Sequence, residues 1–129
     1  MPKHPVRDRA YFQARLIEEM ERGWRYGRSF TLLIFRPAIP SELWRIERLH
    51  RGLDLVGPLV RASDIMATID EQSFVVMLVE SDAPHAQVAL DRIDEAIASD
   101  PSEPPWNVTE YVYPADSPAI EALPFFVAA

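Results

Sequence analysis

The 129-residue sequence contains no cysteine and only four glycines, at positions 23, 27, 52 and 57. The absence of cysteine excludes disulfide frameworks, cysteine-based zinc sites and thiol nucleophiles. The four separated glycines leave no glycine-rich loop. No apolar run approaches the roughly 20 residues that a membrane span requires, and the first residues lack the apolar core of a signal peptide. We therefore expect a cytoplasmic protein without a membrane span.

Basic residues are scarce in the second half of the chain. Residues 1–61 carry a net charge of +5, whereas residues 62–129 carry −12 and contain a single base, Arg92. The total of −7 argues against broad binding of a phosphate backbone, which requires a basic surface. We expect no nucleic-acid partner, although a local pocket for one small anion remains compatible with this charge.

Length and composition predict one domain over residues 1–129, because 48% of the residues are hydrophobic and 26% are charged. Three amphipathic helices are indicated by apolar residues that recur every three or four positions. The first extends from an Asp8 cap to about Tyr26, the second covers about 41–56, and the third extends from an Asp82 cap to about Ser99. The residues predicted to face the core are Phe12, Leu16, Ile17, Met20 and Trp24 in the first helix, Leu43, Ile46, Leu49, Leu53 and Val56 in the second, and Ala86, Ala89, Ile93 and Ile97 in the third.

Four apolar or alternating segments predict strands. Residues 29–36 read as a buried strand, 64–69 and 74–79 as a hairpin around a polar turn, and 106–113 as a last strand. The order helix, strand, helix, hairpin, helix, strand suits an α+β domain with an antiparallel sheet covered by helices. The tail after Pro114 gives no clear prediction.

Three short segments carry a characteristic pattern: residues 8–12 (Asp-Arg-Ala-Tyr-Phe), 25–28 (Arg-Tyr-Gly-Arg) and 64–69 (Asp-Ile-Met-Ala-Thr-Ile). They resemble the opening helix, the approach to the first strand and the lead-in to the hairpin of GGDEF domains, the bacterial domains that make cyclic di-GMP. The resemblance covers about residues 8–114 and leaves the tail 115–129 uncertain. It implies a mainly antiparallel sheet flanked by helices, with a ferredoxin-like core, and a role in signal transduction.

The pentapeptide that names the family is altered here. Phe74 fixes the register, so that Asp70 and Glu71 stand at the two glycines, and Gln72 and Ser73 stand at the acidic pair. The resemblance implies that nucleotide approaches the backbone of this turn, where side chains and negative charge would now obstruct it. It also implies that divalent metal is held by acidic residues, which Gln72 and Ser73 do not provide.

A second change concerns the end of the first strand, where the family has a metal-binding aspartate. Arg36 stands at that position, so that a positively charged side chain replaces the carboxylate that would bind the metal ion. Together with the altered turn, this predicts a domain that is not an enzyme, with no catalytic residue, no metal and no cofactor.

Another site of the family matches without a gap. Many members bind their product, cyclic di-GMP, at an Arg-x-x-Asp motif five residues before the pentapeptide, and Arg61 and Asp64 stand at that offset. Arg92 falls where some members place another arginine of the same site. An arginine fork can hold guanine O6 and N7 or a phosphate, and a carboxylate can accept guanine N–H groups. The resemblance predicts a cyclic di-GMP receptor that uses Arg61, Asp64 and Arg92, although Arg61–Asp64 and Arg92–Glu95 could equally be surface ion pairs.

The alternative is a ligand-independent interaction or dimerisation domain. Its contact surface would come from aromatic residues and from the apolar tail 123–129. Three tryptophans are candidates, Trp24, Trp44 and Trp106, although each also suits core packing. The three histidines, His4, His50 and His85, have no paired spacing for a metal and are predicted to lie on the surface.

Overall fold

The computed structural model describes residues 4–38, 45–100 and 106–124. The helices and strands are, in chain order, β1 (Val6–Arg7), α1 (Arg9–Tyr26), β2 (Phe30–Pro37), α2 (Arg45–Val56), a 3₁₀ turn (Gly57–Leu59), β3 (Ile65–Thr68), β4 (Phe74–Leu78), α3 (Ala83–Ala98), β5 (Trp106–Tyr113) and α4 (Ser117–Glu121).

A five-stranded sheet with the order β1-β3-β4-β2-β5 forms the centre of the domain. Strand β2 pairs antiparallel with both β4 and β5, and the predicted hairpin of β3 and β4 is confirmed. The short strand β1 pairs parallel with β3 and was not predicted, because two residues carry no periodic pattern. The sheet is therefore mainly antiparallel, as expected.

The sheet is covered on both faces. Phe12 and Leu16 of α1 pack with Ile120 of α4 on one face, and Leu49 of α2 packs with Ile93 of α3 on the other. Strand β2 supplies alternate residues to the two cores, which explains why its residues 30–35 are all buried. The domain therefore has three layers, a central sheet with helices on each face.

The predicted helix ends are confirmed by their capping bonds. Asp8 accepts a hydrogen bond from the Tyr11 N–H at 2.8 Å, and Asp82 accepts one from the His85 N–H at 3.2 Å. Gly27 closes α1 in the left-handed conformation, with φ of 66°.

The prediction of a buried side chain is wrong for three residues. Ile17, Trp24 and Ile46 are 37%, 87% and 62% exposed. The buried face of α1 follows Phe12, Leu16 and Gly23, and Trp24 lies next to this face rather than on it. Leu43 and Trp44 lie outside the described residues.

The end of the chain contributes to the core, which the sequence did not predict. Helix α4 buries Ile120, and Leu123 is only 7% exposed. The alternative hypothesis used residues 123–129 as a contact surface, and the burial of Leu123 removes this residue from that surface. Residues 125–129 lie outside the described part.

Candidate functional site

The hairpin turn between β3 and β4 is closed by its own hydrogen bonds. The Ile69 N–H donates to the Ser73 carbonyl at 2.9 Å, and the Gln72 N–H donates to Asp70 Oδ1, also at 2.9 Å. Asp70 therefore acts as a turn former whose carboxylate is directed at the backbone, as short polar residues in turns commonly do. The side chains of Asp70 and Glu71 are exposed, and Ser73 is buried.

Phe74 anchors this turn in the sheet. Its ring stacks on Phe35 with a centroid distance of 4.4 Å and an interplanar angle of 4°, and it meets Trp106 edge-on at 5.4 Å. The predicted core packing of Trp106 is confirmed by its exposure of only 7%. Helix α2 crosses these rings at Gly52, where an added Cβ would approach Trp106 Cζ2 to 2.7 Å.

Arg36 lies beside the turn. Phe35 pairs with Phe74, the first residue of β4, so the next residue of β2, Arg36, lies beside the hairpin turn. On its other side, Arg36 pairs with Asn107 of β5. Its side chain is exposed. Among the described residues, no group of three acidic, histidine or cysteine side chains could hold a metal ion.

Arg61 and Asp64 form a closed pair at the other end of the hairpin. Arg61 donates from Nε to Asp64 Oδ2 at 3.2 Å and from Nη2 to Asp64 Oδ1 at 2.9 Å. Asp64 also accepts the backbone N–H groups of Arg61, at 2.8 Å, and of Val79, at 3.2 Å. Its side chain is 1% exposed and its oxygens accept four hydrogen bonds, so Asp64 is occupied by the protein itself.

The guanidinium of Arg61 also holds the turn that follows β4. Nη2 donates to the Val79 carbonyl at 2.7 Å and to Ser81 Oγ at 3.0 Å. Hydrogen bonding to Asp64 raises the pKa of Arg61, and the nearby Glu80 carboxylate adds to this shift. The side chain is nevertheless 56% exposed, and within the described residues Nη1 donates no hydrogen bond. The arginine is fixed by one edge and open to solvent at the other.

Arg92 lies on the exposed side of α3, next to the buried Ile93. It has no hydrogen bond or ion pair with any described residue, so the alternative pairing with Glu95 is absent. Arg61 and Asp64 are therefore in contact with each other, whereas Arg92 contacts neither of them.

A depression of about 320 Å³, which the sequence did not reveal, opens between α2 and the sheet edge formed by β1 and β3. Both apolar and polar side chains line it. Its parts come from three separate elements, so no local motif could have predicted it. The lining residues are Val6, Leu49, His50, Leu53, Asp54 and Thr68.

The histidines are dispersed, as expected. His85 pairs with its own helix cap, Asp82, at 2.6 Å, and this contact lowers the pKa of Asp82. Nε2 of His4 lies 3.0 Å from the Arg61 carbonyl, and His50 is exposed on α2. No described helix is long and apolar enough to cross a membrane.

The sheet order, with α1 and α4 on one face and α2 and α3 on the other, defines a nucleotidyl cyclase-like α+β domain. More particularly, the chain has the GGDEF-domain fold. It is similar to a DGC protein from Thermotoga maritima, with 19% identity and a TM-score of 0.79 over 96% of this chain and 97% of that one.

Two further structures share the fold. One comprises the coiled coil and GGDEF domain of DgcB from Caulobacter crescentus in complex with c-di-GMP, with 11% identity and a TM-score of 0.67 over 83% of this chain and 64% of that one. The other is the diguanylate cyclase SiaD from Pseudomonas aeruginosa in complex with its activator SiaC, with 18% identity and a TM-score of 0.63 over 83% of this chain and 45% of that one. Neither a protein-family model nor a curated protein sequence matches this chain.

Proposed function

We propose that this protein is a catalytically inactive GGDEF-like domain that binds cyclic di-GMP and transmits its occupancy to a protein partner. The observation that carries the proposal is the state of Arg61. Its guanidinium is oriented by Asp64, Val79 and Ser81, yet more than half of its side chain faces solvent.

Inactivity is supported by the turn and by its neighbour on β2. The joining of two GTP molecules requires divalent metal and a turn that leaves room for phosphate. Asp70 and Glu71 add side chains to the turn, and Arg36 adds a positive charge beside it. Magnesium with GTP should therefore yield no cyclic di-GMP in a chromatographic product assay, and accumulation of product would contradict this part of the proposal.

Ligand binding is supported by the geometry of Arg61. Nη1 and the exposed face of the guanidinium are available to a phosphate or to the O6 and N7 atoms of guanine. Arg92 would add a second positive charge from α3, which suits a ligand with two phosphates. Asp64 takes a different role from the one expected from the sequence: it positions Arg61, because its own oxygens are already occupied. The complex of DgcB with c-di-GMP supports this ligand class.

Calorimetry with cyclic di-GMP tests the binding. We expect Arg61→Met to abolish the heat and Arg92→Met to reduce the affinity. Arg25→Met is the matched control, because Arg25 is an exposed arginine at the end of α1 with no hydrogen bond or ion pair to a described residue. The absence of heat in the wild type, or equal affinity in Arg61→Met, would contradict the proposal.

An interaction domain without a ligand is the second candidate, and Trp24 favours it. This side chain is 87% exposed at the end of α1, and Ile17 lies one heptad earlier on the same side. The complex of SiaD with SiaC shows that a protein with this fold has a protein partner. We expect Trp24→Gln to weaken self-association in sedimentation experiments without changing thermal stability. Deletion of residues 125–129, which spares the buried Leu123, tests the tail separately.

A further inference from the structure

The carboxylate of Glu80 contacts two arginines from the region where α1 ends. Oε1 accepts a hydrogen bond from Arg28 Nη1 at 2.5 Å and lies 3.7 Å from Arg22 Nη2. Arg22 belongs to α1, and Arg28 follows its last turn. A third arginine, Arg61, holds the residues on both sides of Glu80 through the Val79 carbonyl and Ser81 Oγ. Two arginines thus contact the Glu80 carboxylate at the junction of β4 and α3, and the third holds the residues on either side of it.

The backbone of Glu80 is unusual. Its φ of 52° lies in the left-handed region, and Glu80 is the only described residue other than glycine in that region. This conformation costs free energy for a residue with a Cβ, so it persists where neighbouring contacts impose it. Asp64 accepts the Val79 N–H, and Thr31 Oγ1 donates to the Ser81 carbonyl at 3.2 Å. The turn is held on both sides, which directs the Glu80 carboxylate at the arginines.

We propose that Arg22, Arg28 and Arg61 form a binding site for a phosphate-bearing anion, and that Glu80 of the chain itself occupies this site when no ligand is bound. The proposal rests on the proposed function only in that Arg61 is shared. It adds two arginines to the site and gives the site an internal competitor. A ligand phosphate would replace the Glu80 carboxylate as the acceptor of the arginine N–H groups.

The exchange is physically accessible because the side chains that take part in it are at the surface. Arg22 Nη1 stays bonded to the buried Glu19 at 3.0 Å, so Arg22 offers Nη2 to the ligand. The side chains of Arg22, Arg28 and Glu80 are 49%, 55% and 47% exposed, and exposed ion pairs are weak. A phosphate offers three oxygens and more charge than one carboxylate, so it can satisfy several guanidinium groups at once. The backbone of Glu80 keeps its conformation during this exchange, because its neighbours Val79 and Ser81 are held by Asp64 and Thr31. Only the Glu80 side chain has to move.

Titration of the full chain with inorganic pyrophosphate and, separately, with cyclic di-GMP at low ionic strength tests the proposal. Glu80→Gln removes the charge, and Glu80→Gly removes the side chain while suiting the left-handed backbone. We expect each variant to bind pyrophosphate about 3 to 10 times more tightly than the wild type, the value of one or two exposed ion pairs. Arg22→Met or Arg28→Met in the Glu80→Gln background should remove this gain.

Glu121→Gln is the control, because it removes an exposed acid from α4 and changes the net charge equally. Affinity for pyrophosphate that is unchanged in both Glu80 variants, or raised equally by Glu121→Gln, overturns the proposal. If the wild type binds cyclic di-GMP through Arg61 and the Glu80 variants bind neither ligand more tightly, the proposed function stands and the internal competitor is wrong. If the variants gain affinity for pyrophosphate and no form binds cyclic di-GMP, the anion site stands and the proposed ligand is wrong.

Discussion

The indole ring of Trp106 lies directly against Gly52, so closely that a Cβ on the glycine would come within 2.7 Å of Trp106 Cζ2 and within 2.8 Å of Phe74 Cε1. Glycine inside a helix normally weakens it by roughly 1 kcal/mol relative to alanine. At Gly52 we expect the opposite sign, because the added methyl group would overpack two buried rings. Gly52→Ala should lower the free energy of unfolding by about 1–3 kcal/mol in urea denaturation.

Gly57→Ala provides the comparison. A Cβ at Gly57 would meet its nearest atoms at 3.8 and 3.9 Å, which is ordinary contact. We expect this variant to unfold within about 0.5 kcal/mol of the wild type. Equal stability of the two variants would show that the rings at Gly52 move aside easily.

Removal of the Asp64 carboxylate should destabilise the domain, because this carboxylate is buried although its partner Arg61 is exposed. Asp64→Ala would leave the N–H groups of Arg61 and Val79 without their acceptor. We expect a loss of about 1–3 kcal/mol in urea denaturation, the cost of unsatisfied buried polar groups. Asp100→Ala, which breaks the Arg51–Asp100 ion pair, is a comparison at another arginine–aspartate pair.

A second variant, Asp64→Asn, separates the role of the Asp64 hydrogen bonds from the role of its charge. Asp64→Asn keeps a hydrogen-bond acceptor of the same shape, so it should retain more stability than Asp64→Ala. If both variants unfold with the wild-type midpoint, the four hydrogen bonds of Asp64 contribute nothing to the fold.

The free energy of unfolding should depend on pH through Asp94 on α3. Desolvation, and secondarily the charge of Asp91, raises the pKa of the Asp94 carboxyl in the folded protein. A raised pKa means that the folded state favours the protonated carboxyl, so this residue weakens the fold as the pH rises through the folded pKa. Asp94→Asn should therefore stabilise the protein at neutral pH by about 0.3 kcal/mol, the size of an exposed like-charge pair.

The gain in Asp94→Asn should disappear below the ordinary aspartate pKa of about 3.9, where the wild-type carboxyl is protonated in both states. Thermal unfolding of the two proteins across this range measures the difference. A gain that persists in acid would mean that the substitution acts through the amide rather than through the lost charge.

Asp116 protects one end of an open sheet edge. Its Oδ2 accepts the Val112 N–H at 2.8 Å, and its own N–H donates to the Val112 carbonyl at 2.7 Å. Strand β5 is the last strand of the sheet on this side, so these contacts satisfy groups that would otherwise face solvent. Asp116→Ala should cost about 1 kcal/mol and increase light scattering on heating. Unchanged scattering would indicate that the edge is protected by other means.

The sequence predicted the elements whose causes are local. Asp8, Gly27 and Asp82 define helix ends through bonds to residues a few positions away, and the hairpin follows from two apolar segments around a polar turn. The GGDEF-like arrangement was thus accessible from the chain alone. Strand β1 was not, because it exists through its pairing with β3.

Other features depend on contacts distant in the chain. Periodicity placed Trp24 on the core face of α1, but the position of the sheet decides which stripe of the helix is buried, and Trp24 is exposed. The sequence placed Arg61 and Asp64 together, but it gave no sign that Asp64 also accepts a hydrogen bond from the Val79 N–H. The left-handed Glu80 between two arginines gave no signal, since glutamate is not expected in that conformation.

The stacked rings of Phe35 and Phe74 have a consequence for protein engineering. Because the hairpin is anchored by Phe74, the exposed tip at Asp70 and Glu71 can be lengthened with little effect on the sheet. Each doubling of a loop costs only about 0.6 kcal/mol of closure entropy. The tip between these two residues is therefore a suitable place to insert a reporter peptide or an epitope.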